Sequence, residues 1–172
     1  MTGALPLSTL VLGGARSGKS LYAESLLAGG PALYLATGQA FDGEMAERIK
    51  IHRDRRGPHW TTVEEPLHLA ETLGRVAAPD RPVLVDCLTL WISNLMHAGL
   101  DVAHETGKLA ELLAAPAGPV VLVSNEVGMG LVPDNKLARE FRDHQGRVNQ
   151  RLAQACARVV FVAAGLPLIL KG

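Results

Sequence analysis

A glycine-rich segment near the start of the sequence carries the strongest chemical signal. Residues 13–20 read GGARSGKS and fit the pattern G-x-x-x-x-G-K-S in full. Glycines let backbone N–H groups curve around a phosphate, Lys19 can reach the β- and γ-phosphates, and the Ser20 hydroxyl can ligate Mg²⁺. An apolar run before the segment and a helical pattern after it complete the context that such a loop requires. The sequence therefore predicts a nucleoside-triphosphate site, without saying which base is bound or which reaction follows.

A site of this kind needs an acidic residue that helps to hold Mg²⁺, usually at the end of a neighbouring apolar strand. Two segments qualify. VLVD ends in Asp86, and VVLVSNE ends in Asn125 and Glu126. Asp86 lies nearer to its strand end, so we favour it as the metal ligand and keep Glu126 as the alternative. Asp86 could also cap the helix predicted to follow it.

A histidine among arginines is the second candidate for chemistry. If residues 42–56 form a helix, Arg48, Arg55 and Arg56 lie three or four positions from His52 and surround its imidazole. Positive neighbours favour the neutral imidazole, which could attack a phosphorus atom. The same spacing also fits a solvated basic face with an incidental histidine, and the residues alone favour that simpler interpretation.

The composition narrows the class of protein. The chain has 172 residues, of which 48% are hydrophobic and 20% charged, a balance that excludes disorder and low-complexity arrays. Its 17 basic and 17 acidic residues cancel, which argues against nucleic acid or an anionic membrane as the main partner. The two cysteines, Cys87 and Cys156, lie in apolar surroundings and fit buried thiols rather than a metal or disulfide framework. With neither a signal peptide nor a membrane-spanning apolar run in the sequence, we expect a cytoplasmic protein.

Short apolar runs alternate with segments of helical periodicity along the chain. We predict strands at residues 8–12, 31–36, 60–63, 82–85, 119–123, 159–163 and 168–170, and helices at residues 19–27, 42–56, 66–77, 88–97, 102–115 and 135–158. Strands that are apolar throughout indicate a parallel sheet covered on both faces. The short Gly-Leu-Pro connection before the last strand predicts an antiparallel edge at the C-terminus. We therefore predict one three-layer α/β domain of the P-loop NTPase class over residues 1–172.

Four segments together resemble a known family. They are GGARSGKS at 13–20, LYLATGQAFDGEMAERIKIHR at 33–53, LVDCLTLWISNL at 84–95, and SNEVGMGLVPDNKLAREFRDHQGRVNQRLA at 124–153. In this combination and order the chain resembles the bifunctional adenosylcobinamide kinase / adenosylcobinamide-phosphate guanylyltransferase family of cobalamin biosynthesis. The resemblance implies a RecA-like, mostly parallel sheet and association into homo-oligomers, with trimers expected.

The resemblance also implies two reactions. One phosphorylates adenosylcobinamide with ATP or GTP. The other transfers GMP from GTP to adenosylcobinamide phosphate through a covalent GMP–histidine, which falls on His52. A plain P-loop kinase of small molecules and a nucleotide-gated interaction module remain the alternatives.

Site residues follow from the same resemblance. It implies Lys19 and His52 as catalytic residues, and Ser20 and Asp86 at Mg²⁺. Glu64 could accept hydrogen bonds from a guanine edge, or it could be a solvated loop acid. The implied nucleotide contacts are Gly13, Gly14, Ala15, Arg16, Ser17, Gly18, Lys19, Ser20, Ala36, Thr37, Gly38, Arg53, Asp54, Arg55, Arg56, Glu64 and Asp86.

Overall fold

The structure, a computed structural model, describes residues 5–39 and 57–172. Within them the chain forms seven strands and five helices. The strands are β1 (Ser8–Gly13), β2 (Ala32–Ala36), β3 (Trp60–Glu64), β4 (Val83–Asp86), β5 (Val120–Asn125), β6 (Arg158–Ala163) and β7 (Leu166–Lys171). The helices are α1 (Lys19–Ser25), α2 (Leu69–Val76), α3 (Leu88–His97), α4 (Val102–Ala114) and α5 (Lys136–Ala155).

All seven strands join one sheet in the order β3-β2-β4-β5-β1-β6-β7. Every neighbouring pair is parallel except β6 and β7, which are antiparallel. Parallel pairs need long crossovers, whereas two residues, Ala164 and Gly165, suffice for the last turn and both have positive φ angles of 52° and 78°. The predicted parallel sheet with an antiparallel C-terminal edge is confirmed.

Apolar side chains leave both faces of the sheet, which explains why the strands are hydrophobic throughout. On β1, Leu10 packs into a cluster that includes Leu73, Trp91 and Leu152, from three of the four helices α2 to α5. The next residue, Val11, packs on the opposite face with Leu27, which follows α1. Burial of each large apolar side chain contributes about 1.5–3 kcal/mol, so both helical layers are bound firmly to the sheet. The three-layer architecture is confirmed.

The parallel topology collects the candidate residues at one edge. Gly13 ends β1 opposite Asn125 at the end of β5, and Ala36 at the end of β2 is paired with both Asp86 and Glu64. Because parallel strands point the same way, their carboxyl ends share one edge, where open α/β sheets bind ligands.

The longest helix is shorter and less buried than the sequence predicts. Helix α5 ends at Ala155 because Cys156 is extended, with φ −69° and ψ 143°, and Arg158 already pairs with β1. Leu137, predicted on the apolar stripe of this helix, is 61% exposed, whereas Leu152 is fully buried. The reason is position: Asn149 bonds the end of β5, so the first turns of α5 extend past the edge of the sheet.

Other boundaries shift by a few residues. Helix α2 begins at Leu69 rather than at residue 66, because the Glu65 carboxylate accepts the N–H groups of Leu67 and His68 at 2.9 and 2.8 Å. Helix α1 ends at Ser25 rather than at residue 27. The predicted helix at 42–56 lies outside the described residues, and the single-domain organisation over 1–172 stays a prediction.

Candidate nucleotide-binding site

The glycine-rich segment forms a loop between β1 and α1, as predicted. Ser17 donates its N–H to the Gly14 carbonyl at 3.3 Å, and Gly165 donates to the Ser17 carbonyl at 2.7 Å. Gly18 has φ 92°, and a Cβ there would lie 3.1 Å from the Gly165 Cα. The β6–β7 turn therefore packs against the loop, and position 18 requires glycine for both its backbone angle and its close approach.

Lys19 and Ser20 begin helix α1 and are both half-buried. The Lys19 Nζ donates to the Gly14 carbonyl at 3.2 Å, so the ammonium group lies against the backbone of the loop. An ammonium in this place can neutralise phosphate charge, and a hydroxyl one residue further on can ligate Mg²⁺. Ala15 and Arg16 are exposed at the tip of the loop, and Arg16 has φ 58°.

Asp86 ends β4 at the same edge of the sheet. Strand β5 separates β4 from β1, so the strand that carries Asp86 lies about 10 Å from the strand that carries Gly13. The Asp86 Oδ2 accepts a hydrogen bond of 2.7 Å from the Tyr34 hydroxyl on β2, and the Tyr34 ring packs edge-on against Trp60 at 5.9 Å. The cap position of α3 falls on Cys87 rather than Asp86, so the carboxylate does not serve as the helix cap that the sequence allows.

Thr37 connects the end of β2 to the segment after β4. Its buried hydroxyl donates to the Cys87 carbonyl at 2.7 Å and accepts from the Cys87 N–H at 2.9 Å, and Asn94 donates to the Thr37 carbonyl at 2.7 Å. The Thr37 N–H donates to the Asp86 carbonyl at 3.3 Å. These bonds fix the backbone from the Asp86 carbonyl through Cys87. The nucleotide contact expected of Thr37 stays a prediction, as do those of its half-buried neighbours Ala36 and Gly38.

Cys87 directly follows Asp86 but is chemically inert. Burial and, second, the neighbouring Asp86 carboxylate together raise the pKa of the Cys87 thiol to about 11. A thiol with such a pKa remains protonated near neutral pH and is a poor nucleophile. Cys87 therefore serves packing, as the sequence predicts.

The end of β5 lies between Asp86 and the glycine-rich loop. Glu126 donates its N–H to the Gly13 carbonyl at 2.9 Å, while its Oε1 accepts the Gly128 N–H at 2.5 Å. The Glu126 carboxylate is thus bonded within its own loop, whereas Asp86 is the last residue of strand β4. The oxygens of Asp86 and Ser20 are hard ligands and suit Mg²⁺, which takes one or two protein oxygens and completes its shell with phosphates and water.

Glu64 ends the edge strand β3, four strands from β1, which corresponds to about 19 Å. It is exposed at the edge that carries the loop. The remaining implied site residues, His52, Arg53, Asp54, Arg55 and Arg56, lie outside the described residues, so their placement beside the loop stays a prediction.

Two site features escaped sequence reasoning. Tyr34 lies in an apolar strand and reads as core, and only the alignment of β2 with β4 shows that its hydroxyl reaches Asp86. Asn125 reads as a strand end, but the Thr89 hydroxyl accepts its N–H at 2.9 Å from 36 residues away in the chain. The signal available was weak in both cases: a tyrosine hydroxyl inside the apolar strand β2, and an asparagine at the end of β5.

Comparison with known proteins assigns a family to most of the chain. Residues 9–170 match the model of the family described as cobinamide kinase / cobinamide phosphate guanyltransferase. A relative from Pseudomonas aeruginosa, named bifunctional adenosylcobalamin biosynthesis protein CobP, is 51% identical over 95% of this chain and 96% of its own length. The corresponding protein CobU of Salmonella typhimurium is 45% identical over 94% of this chain and 98% of its own length.

A solved structure supports the fold. An ATPase from the type III secretion system of pathogenic bacteria matches with a TM-score of 0.55 and 11% identity, over 96% of this chain and 57% of that chain. At such identity the likeness shows the fold alone, and that fold agrees with the three-layer arrangement predicted from the sequence. In the part of the chain that the structure describes, no helix has the length and apolar character needed to cross a bilayer.

Proposed function

Because the chain belongs to the cobinamide kinase / cobinamide phosphate guanyltransferase family, we propose that it catalyses two successive transfers onto one corrinoid substrate. In the first, a hydroxyl of adenosylcobinamide attacks the γ-phosphorus of ATP or GTP, and the nucleoside diphosphate leaves. In the second, GMP passes from GTP to adenosylcobinamide phosphate, which gives adenosylcobinamide-GDP and pyrophosphate.

The observation that supports the kinase step is that the glycine-rich loop and Asp86 lie at the same edge of the sheet. Lys19 lies against the loop backbone, where it would neutralise charge on the β- and γ-phosphates. Phosphoryl transfer needs positioning and electrostatic stabilisation rather than covalent chemistry by the protein. Ser20 and Asp86 would hold Mg²⁺, whose role is to neutralise the phosphate oxygens, and Glu126 is the alternative acid.

We propose His52 as the nucleophile of the second step. An imidazole nitrogen attacks the α-phosphorus of GTP, the bond from that phosphorus to the β-phosphate oxygen breaks, and pyrophosphate leaves. A phosphate oxygen of adenosylcobinamide phosphate then attacks the same phosphorus, and the nitrogen–phosphorus bond breaks to release the histidine. Arg53, Arg55 and Arg56 would bind the phosphates during this exchange.

Recognition of the nucleotide would involve residues along the whole sheet edge. A nucleotide whose triphosphate lies on the loop can extend its base towards β2 and β3. There Glu64 offers acceptors for the N–H groups of guanine. The other proposed contacts are Gly13, Gly14, Ala15, Arg16, Ser17, Gly18, Ala36, Thr37, Gly38 and Asp54.

Labelled GTP tests the two-step proposal. With GTP labelled at the α-phosphate and Mg²⁺, denaturing electrophoresis should show label on the protein, and γ-labelled GTP should leave none. The adduct is a phosphoramidate, so acid should release the label and alkali should not. A plain kinase would phosphorylate cobinamide without any labelled protein, and a nucleotide-gated module would bind GTP without turning over either acceptor.

His52→Ala identifies the nucleophile. The variant should lose both the label and guanylyl transfer, while cobinamide phosphorylation survives in part because that step needs no enzyme nucleophile. His52→Asn should behave the same way, since an amide lacks the imidazole lone pair. His104→Ala, at an exposed histidine of α4, is the matched control. Labelling that persists in His52→Ala would move the role elsewhere, with His59 as the next candidate.

We also propose that the protein forms homo-oligomers, with a trimer expected, in the cytoplasm. Support for the oligomer comes from the edge strand β7. Its side chains Leu166, Leu168, Ile169 and Leu170 are between 51% and 72% exposed. Apolar rows of this kind are typical of surfaces that a partner covers. Light scattering on the purified protein measures the mass, and a monomeric mass at micromolar concentration would contradict the proposal.

A further inference from the structure

The end of strand β5 holds an asparagine between the two halves of the candidate site. Strand β5 lies between β1, which enters the glycine-rich loop, and β4, which carries Asp86. Asn125 is paired with Gly13, the first residue of the loop. Neighbouring strands lie about 4.8 Å apart, so Asn125 is the strand residue closest to the space between Lys19 and Asp86.

The backbone around Asn125 is fixed from three directions. Its N–H donates to the Thr89 hydroxyl of α3 at 2.9 Å, and its carbonyl accepts from the Asn149 amide of α5 at 3.1 Å. The next residue, Glu126, donates its N–H to the Gly13 carbonyl at 2.9 Å. A side chain on such a backbone has a defined origin and direction, which pre-organisation of a catalytic group requires.

A buried polar network of side chains packs beside the end of β5 and supports it. The Ser124 hydroxyl donates to the Asn149 Oδ1 at 2.6 Å, and the Gln145 amide donates to Ser124 at 2.9 Å and to Asn149 at 3.1 Å. Ser124 and Gln145 are fully buried. Apolar residues would fill the same space without the desolvation cost of these groups, so the network fits a role in fixing the end of β5.

The side chain of Asn125 itself is not used to hold the fold. Its Oδ1 is buried, and no described residue bonds it. Phosphoryl oxygens cannot donate to this Oδ1, but the Nδ2 end of the same amide bonds to no described residue. Its N–H groups can donate to phosphoryl oxygens, and the amide carries no charge that would repel a triphosphate.

We propose that Asn125 is a further catalytic residue of the kinase step, and that its side-chain amide donates a hydrogen bond to the γ-phosphoryl group of the triphosphate on the loop. The group being transferred must lie between the Lys19 side and the Mg²⁺ side of the site, and Asn125 is the residue between them. This inference rests on the proposed function. In guanylyl transfer the γ-phosphate only departs within pyrophosphate, so the contact matters less to that reaction.

Asn125→Ala and Asn125→Asp test the proposal. The kcat for cobinamide phosphorylation should fall on the order of a hundredfold in both, the usual effect of removing one donor from a transition state. In Asn125→Ala, which adds no charge, nucleotide affinity and protein labelling from α-labelled GTP should stay within about threefold of the parent values. The near-isosteric aspartate keeps the shape of the site but replaces the donor by a negative charge, so its kcat should fall at least as far as that of Asn125→Ala, and a kcat near the parent value would show that shape alone matters.

The control is Asn135→Ser. Asn135 caps α5 through the Ala138 N–H, and serine can keep that cap, so its kinetics should match the parent. Kinase kcat in Asn125→Ala within about threefold of the parent overturns the proposal. So does an equal fall in phosphorylation, labelling and nucleotide affinity, which would mark a structural role. If the parent phosphorylates no cobinamide, the proposed function fails, and the role of Asn125 fails with it.

Discussion

Both proposed reactions depend on the charge of Lys19. Its ammonium lies 3.2 Å from the Gly14 carbonyl, inside the loop that would surround the phosphates. Lys19→Ala removes this charge, and we expect both phosphorylation and guanylyl transfer to fall about a hundredfold or more. Steady-state rates with GTP and each acceptor measure the effect. Lys136→Ala, at an exposed lysine of α5, serves as control, and near-normal kinase turnover in Lys19→Ala would contradict the loop assignment.

Tyr34 should tune the metal site without touching the metal. Its hydroxyl donates to Asp86 Oδ2 at 2.7 Å, while its ring packs against Trp60. Tyr34→Phe keeps the ring and removes the hydroxyl, so folding should be preserved and the Mg²⁺ needed for half-maximal activity should rise about 10-fold or more. Titration of activity with Mg²⁺ measures this shift.

Asp86→Asn provides the reference for that titration, because it removes the proposed ligand itself. The Mg²⁺ concentration needed for half-maximal activity should rise further in Asp86→Asn than in Tyr34→Phe. If the Mg²⁺ titration of Asp86→Asn matches that of the parent, the metal role moves to Glu126.

At the scale of elements, Glu65 determines where helix α2 begins. Its carboxylate is partly desolvated, which raises its pKa, but the N–H groups of Leu67 and His68 and the Thr72 hydroxyl outweigh this and hold the pKa below its usual value. A carboxyl group with a depressed folded-state pKa stabilises the fold above its unfolded pKa. This stabilisation is lost as the pH falls through the folded-state value.

Glu65→Gln tests this helix start. The difference in free energy of unfolding between parent and variant should be largest at neutral pH and should shrink below about pH 4.5, the unperturbed value for this group. Urea unfolding at a series of pH values measures it. Glu111→Gln, at an exposed glutamate of α4, should show a smaller difference at neutral pH. A constant difference between Glu65→Gln and the parent at all pH values would contradict the role of the charge.

At the scale of the whole molecule, the two layers of core protect both cysteines. Burial raises the pKa of the Cys87 thiol to about 11 and that of the Cys156 thiol to about 12. Native protein should therefore react negligibly with a thiol reagent at pH 8, and two thiols should react once the chain is unfolded in urea. A fast-reacting thiol in the native protein would show that the sheet or its helical layers open readily.

The loop chemistry and the order of elements were determined by the sequence itself. Gly13 to Ser20 are consecutive residues, so the backbone that surrounds a phosphate is specified locally. Uninterrupted apolar strands likewise predict a parallel sheet with helices on both faces, because such strands must be buried on both faces of the sheet. Belonging to the family was also predictable, since it depends on four segments that stand in order along the chain.

Only the tertiary structure decided which distant side chains meet at the site. Tyr34 reaches Asp86 across 52 residues because β2 pairs with β4, and Asn125 is placed beside Gly13 because β5 lies between β4 and β1. Strand order depends on crossovers that periodicity does not encode. The exposure of Leu137 could not be predicted from the sequence either. An apolar stripe shows which face of a helix packs against the sheet, but the length of the sheet decides how much of that face is covered.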